Sequence, residues 1–214
     1  KYYTKINKDI SHEDILITTG GSEALSTVLK CICDPDDNII IPDPYYANYN
    51  GFANGTSIKV RSVTCNINQN FKLPSQTDWE KKITKKTRAI LICNPNNPTG
   101  TLYTRKELEK LAQLVKKHNL FLIADEVYRE FVYDDSEHHS ILSFDHITQN
   151  SIIIDSVSKR YSMCGARIGA IVSKNKSLIY TALKFSQARL SPPTFGQLAA
   201  LEALNTKQKY FKKI

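Results

Sequence analysis

The sequence has no long apolar run. No window reaches the roughly 18 residues that a membrane-crossing helix needs, and no signal peptide is visible. The first residue is Lys1, so an upstream targeting segment stays open. No Gly-x-Gly-x-x-Gly follows an apolar run, which disfavours a non-catalytic nucleotide-binding module. The five cysteines are scattered. Cys31 and Cys33 fall on different faces of an expected helix, and Cys65, Cys93 and Cys164 stand alone. Neither a disulfide framework nor a metal spacing results, so all five read as reduced thiols in a reducing, cytoplasmic setting. Acidic residues are the minority sign, 21 against 29 Lys and Arg, for a net charge of +8. The lysines lie in dispersed pairs, Lys81-Lys82, Lys85-Lys86, Lys116-Lys117 and Lys212-Lys213. They form no basic run, so they read as solvated helix faces and not as a nucleic-acid surface. The polar stretch 134–140 has two histidines but no ligand spacing, and reads as a surface loop with no metal.

Present instead is a regular alternation. Apolar runs predict strands at 15–19, 38–42, 57–63, 88–93, 120–125, 151–155 and 167–172. Helical patterns lie between them, at 22–33, 45–53, 77–85, 104–118, 175–188 and 195–206. The best-signalled helix opens on Thr104-Arg105-Lys106-Glu107, a capping-box spacing. Strands alternating with helices predict a three-layer α/β/α fold around a mostly parallel, seven-stranded sheet. The 214 residues suffice for one substantial core.

Residues with chemical potential gather at the expected strand ends. Lys159 follows Ile152-Ile153-Ile154, with Ser156 and Ser158 before it and Arg167 after. A lysine in a partly dry, cationic setting becomes an amine nucleophile, and hydroxyls with a guanidinium suit a phosphate. Together they describe an anchor for a phosphorylated aldehyde, a Schiff base to pyridoxal phosphate. The same string also reads as a polar strand-to-helix loop. Asp125 ends the run Phe121-Leu122-Ile123-Ala124. There it could pair with a protonated pyridine nitrogen, or simply cap the next helix. Asn94-Pro95-Asn96-Asn97-Pro98-Thr99-Gly100 predicts a rigid turn that can present an amide. Gly20-Gly21 before a helix predicts an anion site. Pro44-Tyr45-Tyr46 places rings where a flat group could stack.

These strings, in this order, resemble the class I/II aminotransferases, the fold-type I enzymes. Gly-Gly-Ser-Glu-Ala-Leu (20–25), Pro-Tyr-Tyr (44–46), the Asn-Pro heptad (94–100), Ala-Asp-Glu-Val-Tyr (124–128) and Ser-Val-Ser-Lys with Gly-Ala-Arg-Ile-Gly (156–169) carry the resemblance. It implies pyridoxal 5'-phosphate as cofactor, an amino acid and a 2-oxo acid as substrates, and a homodimer in the full-length form. Aspartate is the first expectation for the amino acid and an aromatic one the second. The resemblance further implies roles. Lys159 binds the cofactor and shuttles the proton, Asp125 holds the ring nitrogen, and Tyr128 and Asn97 hold the ring oxygen. Tyr46 stacks on the ring. Gly21, Ser22 and Glu23 offer backbone N–H groups to the phosphate, completed by Ser156, Ser158 and Arg167. The bonds before Pro44 and Pro98 are expected to be cis. Residues 1–214 would be the cofactor-binding large domain, without the N-terminal arm and C-terminal small domain of such enzymes, and therefore poorly active alone. The helix-like last residues, 210–214, would have no strand after them. Other readings of the same fold are a C–S lyase and the cofactor-sensing domain of a transcription regulator.

Overall fold

The fold, described for residues 2–211 in a computed structural model, is organised by one seven-stranded sheet. Its strands are β1 (Ile15–Thr18), β2 (Asn38–Asp43), β3 (Lys59–Thr64), β4 (Thr87–Cys93), β5 (Phe121–Asp125), β6 (Ser151–Ser156) and β7 (Gly169–Val172). The order across the sheet is β1-β7-β6-β5-β4-β2-β3. Neighbours from β6 to β3 run parallel. Only β7 is reversed, pairing antiparallel with both β6 and β1. The carboxyl ends of the other six strands therefore share one edge, and β7 begins there.

Alternate side chains of the central strands feed two cores, as a sheet covered on both faces requires. Ile40, Ile90, Ile92, Leu122, Ala124 and Ile153 pack on one face, beneath α4 (Arg105–Lys117). Ile39, Ile41, Leu91, Ile123, Ile152 and Ile154 pack on the other, under α1 (Gly21–Ile32), α2 (Asn48–Asn54) and α6 (Lys176–Gln187). Each such Ile or Leu side chain contributes about 1.5–3 kcal/mol when fully buried. Three layers result, as expected from the alternation.

The expected elements are present, with shifts that have local causes. Helix α4 begins where its capping box sets it, with the Glu107 carboxylate accepting the Thr104 N–H at 2.9 Å. Helix α2 starts at Asn48, three residues later than expected, because Tyr45-Tyr46 remain irregular and Ala47 is its N-cap; the bond before Pro44 is cis. Helix α3 (Gln76–Glu80) is little more than one turn. Helix α7 (Thr194–Ala203) ends before 206. The short helix α5 (Val157–Arg160) was not anticipated, and α8 (Gln208–Phe211) covers the first part of the helix-like end expected at 210–214. The remainder of the helix-like end, 212–214, lies outside the described residues. The bond before Pro98 is also cis, as is Asn94-Pro95. No helix among the described residues is long and apolar enough to cross a membrane, and none of their His, Cys, Asp or Glu side chains cluster as metal ligands.

The stretch 134–140 is only partly the surface loop expected. Asp134 to Glu137 are exposed, but Ser140 is buried and donates to the Glu126 carboxylate at 2.9 Å. A buried acid needs donors, and this loop supplies one.

Candidate active site

The strand ends converge on one cavity of about 260 Å³. Gly21, Ser22, Tyr46, Asn97, Asp125, Tyr128, Ser156, Ser158, Lys159 and Arg167 all line it. Of the residues singled out in the sequence, only Glu23 does not. Its carboxylate turns to Arg189, whose Nε donates to it at 2.7 Å, and to the backbone N–H of Thr19. That leaves only its backbone for the anion site.

The phosphate end can be built from the chain upward. Gly20 has φ +85°, a conformation that glycine adopts without a side-chain clash. A Cβ there would sit 2.3 Å from Nη2 of Arg167, so glycine is what lets the guanidinium approach the start of α1. The first intrahelical bond of α1 runs from Ala24 N–H to Gly20 O. The N–H groups of residues 21–23 have no acceptor within the helix, and the helix dipole favours an anion before them. Ser156 caps α5, its Oγ accepting the Ser158 N–H at 3.1 Å and lying 2.8 Å from the Ser158 hydroxyl. Arg167 is held by a bond from Nη1 to the Cys164 carbonyl at 2.9 Å.

The opposite end is made by Asp125. It is half-buried on the cavity side and accepts the Tyr49 hydroxyl at 2.8 Å and the Val127 N–H at 3.3 Å. Both donors are neutral. Among the described residues no Lys, Arg or His nitrogen forms an ion pair with it. Burial pushes its carboxyl up to about 6 against the pull of these two donors, with the charges of Asp155 and Glu126 adding to the rise. Burial likewise raises the Tyr49 hydroxyl well above its ordinary range, helped by Asp125.

Between the two ends lie flat and polar groups. Tyr46 is held edge-on to Tyr49, with ring centroids 5.5 Å apart. Asn97 and Tyr128 line the cavity together, and the Asn97 amide opposes the rise that burial imposes on the Tyr128 hydroxyl. Asn97 is free for this because its neighbours fix the turn. Asn96 donates to Pro44 O at 3.1 Å and to the Thr99 hydroxyl at 2.8 Å, while Asn94 accepts the Tyr103 N–H at 3.0 Å. Lys159 is exposed and stands with Nζ 5.8 Å from the centre of the Tyr128 ring.

Leu25, Tyr49, Phe52, Cys93, Val127 and Cys164 also line the cavity and were not singled out. Tyr49 is the consequential omission. Its signal was the spacing Tyr46-x-x-Tyr49, which places two rings side by side when a helix starts at Asn48. Taken together, the donors fit a flat group with a phosphate at one end, a cationic ring nitrogen at the other and an aldehyde within reach of an amine. Pyridoxal phosphate has these features.

Comparison with known proteins bears on the family and the fold. The family model for Aminotransferase class I and II matches residues 1–214. An aspartate aminotransferase of Thermotoga maritima is 36% identical over 211 residues, covering 96% of this chain and 54% of that protein. A putative aminotransferase of Bacillus subtilis, YugH, is 34% identical, covering 94% of this chain and 52% of that protein. The crystal structure of an aromatic aminotransferase from Pyrococcus horikoshii superposes with a TM-score of 0.92 at 31% identity, over 99% of this chain and 57% of that one. The chain thus spans about half the length of the curated relatives it matches. With the fold, the cavity and the family match in agreement, the chain belongs to the aminotransferase class I and II family.

Proposed function

We propose that residues 1–214 form the cofactor-binding large domain of a pyridoxal-phosphate-dependent aminotransferase. It would move an amino group from an L-amino acid, aspartate or an aromatic one, to a 2-oxo acid. The observation that carries this reading is the state of Asp125, a carboxyl raised to about 6 and served only by neutral donors in the same cavity as Lys159. A cationic ring nitrogen is the partner such a group suits.

The bound cofactor supplies an aldehyde carbon and an electron-accepting ring, which amino-group transfer requires. The chain's residues do the rest. Lys159 would hold the aldehyde carbon through Nζ, and the same atom, when free, would serve as the base for the substrate α-proton. Asp125 holds a proton on the ring nitrogen, and Tyr49 orients the carboxylate that does so. The Tyr128 hydroxyl and the Asn97 amide bind the ring oxygen, and Tyr46 covers the ring and excludes water. The N–H groups of Gly21, Ser22 and Glu23, with Ser156, Ser158 and Arg167, hold the phosphate.

We also propose a cytoplasmic homodimer. The unpaired cysteines support the compartment. The exposed Phe195, Leu198 and Leu201 of α7, 88%, 58% and 65% accessible, support a further protein surface against that helix. The names of the Thermotoga and Pyrococcus relatives support aspartate and aromatic substrates.

The test is covalent mapping. Purified chain is mixed with pyridoxal phosphate, reduced with borohydride, digested and weighed. One label on the peptide containing Lys159, lost in Lys159→Ala, is expected. Equal labelling of Lys159→Ala would overturn the proposal.

A further inference from the structure

Behind the cavity, toward the α4 face, lies a buried ionic cluster that the reaction above does not use. Glu126, Arg129, Asp155 and Arg160 are 0%, 7%, 3% and 3% exposed. Nη2 of Arg160 donates to both Asp155 oxygens, at 2.9 and 3.0 Å. Arg129 donates to Glu126 at 2.6 and 3.0 Å, and its Nη1 lies 3.9 Å from Asp155. The Tyr3 hydroxyl also donates to Asp155, and the Tyr2 ring stacks on Arg160 at 4.3 Å.

Each of these four residues is the immediate chain neighbour of a cavity residue. Glu126 adjoins Asp125, Arg129 adjoins Tyr128, Asp155 adjoins Ser156 and Arg160 adjoins Lys159. One member of each pair lines the cavity and the other is locked into the cluster. The turn carrying the lysine shows what this does. Helix α5 is four residues long, too short to be held by its own hydrogen bonds. Asp155 brackets it, accepting the Ser156 N–H at 2.7 Å where the turn begins and Arg160 where it ends. On the cavity side, Lys159 is exposed and its Nζ lies over the Tyr128 ring, 5.8 Å from its centre.

We infer that the buried Asp155–Arg160 pair is a positioning device that sets the reach of Lys159 relative to the phosphate cradle. The inference rests on the function proposed above. A buried ion pair can often be replaced by apolar side chains of similar volume without loss of fold, which separates positioning from stability. The double variant Asp155→Leu/Arg160→Met and the single Arg160→Lys are compared with the parent chain. Lys159 attachment is measured with pyridoxal phosphate and with pyridoxal, which has the aldehyde but no phosphate. Thermal unfolding without cofactor reports the fold.

The double variant is expected to unfold within about 5 °C of the parent, yet to attach pyridoxal phosphate at least about tenfold more weakly. Attachment of pyridoxal should change little, so the preference for the phosphorylated aldehyde collapses. General loosening of the fold would weaken both and leave the ratio unchanged. Arg160→Lys, which keeps the charge but not the fork, should lower the ratio by about threefold or more, and it carries the test if the double variant does not fold. An unchanged ratio in a folded variant overturns the inference. Attachment that persists in Lys159→Ala overturns the proposed function instead, so the two failures are distinct.

Discussion

Two aspartates lie near the carboxyl ends of neighbouring strands at the same edge of the sheet, and their surroundings differ in kind. Asp125 follows Ile123 on the face covered by α1 and α2, and Asp155 follows Ile153 on the face covered by α4. Asp155 is enclosed by Arg160, Arg129, the Tyr3 hydroxyl and a backbone N–H. Burial pushes its carboxyl up, but the two guanidiniums, with the Tyr3 hydroxyl and the Ser156 N–H, outweigh burial and hold it below the usual carboxylate range. Asp125 has no cation partner among the described residues, and burial leaves it at about 6. One carboxyl is satisfied by the fold. The other is left without a partner cation among those residues. A strongly perturbed acid in a cleft marks function more often than stability, and here the well-paired neighbour shows what the structural alternative looks like.

The largest expected effect is on the paired acid. Asp155→Asn takes the carboxylate from the buried Arg160 fork, while Arg129 keeps Glu126, and should destabilise the cofactor-free chain by about 3–5 kcal/mol. Urea unfolding at pH 7 measures this. A loss under about 1 kcal/mol would erase the contrast. The same change at the other acid has the opposite sign. Folded Asp125 keeps its proton up to about pH 6, whereas an unfolded aspartate releases it near 3.8. Its contribution to stability is therefore full below the unfolded value and falls as pH rises to about 6. Asp125→Asn removes that fall and should stabilise the cofactor-free chain at pH 7 by about 2 kcal/mol, while weakening its hold on pyridoxal phosphate. Asp155 behaves in reverse. Its contribution is present above the ordinary carboxylate range and is lost as pH falls through its depressed value.

A smaller effect sharpens the comparison. Tyr49→Phe removes one of the two neutral donors that favour the charged form of Asp125. Its carboxyl should rise further, above about 6, at a cost of about 1 kcal/mol. Tyr3→Phe does the same to Asp155, but there two arginines remain and the carboxyl should stay below its ordinary range. Side-chain carbon NMR titrations distinguish the two outcomes. Equal upward shifts would mean that the arginines do not dominate.

Much of this was legible before any coordinates. The strands were readable because a buried parallel sheet demands unbroken runs such as Ala89-Ile90-Leu91-Ile92, and α4 because Thr104 and Glu107 cap each other. The cavity was readable because parallel strands bring their carboxyl ends to one edge, so residues that follow apolar runs must meet. Less was legible where contacts cross the chain. Tyr49 has no meaning until α2 folds over β5. Glu23 was placed by chain position alone, and the partner that turns its carboxylate away, Arg189, is 166 residues distant. The ionic cluster depends on Glu126 and Arg129 meeting Asp155 and Arg160 from another segment. A sequence shows those only as scattered charges.

The most direct test of the central claim is the titration of the Asp125 side chain by carbon NMR, with and without pyridoxal phosphate bound to Lys159. The free chain should show a step at about pH 6. In the loaded chain that step should vanish, with the carboxylate ionised to below about pH 4 because a ring cation now faces it. A step that stays near 6 after loading would mean that Asp125 does not hold the ring nitrogen, and the assignment of the cavity would fail.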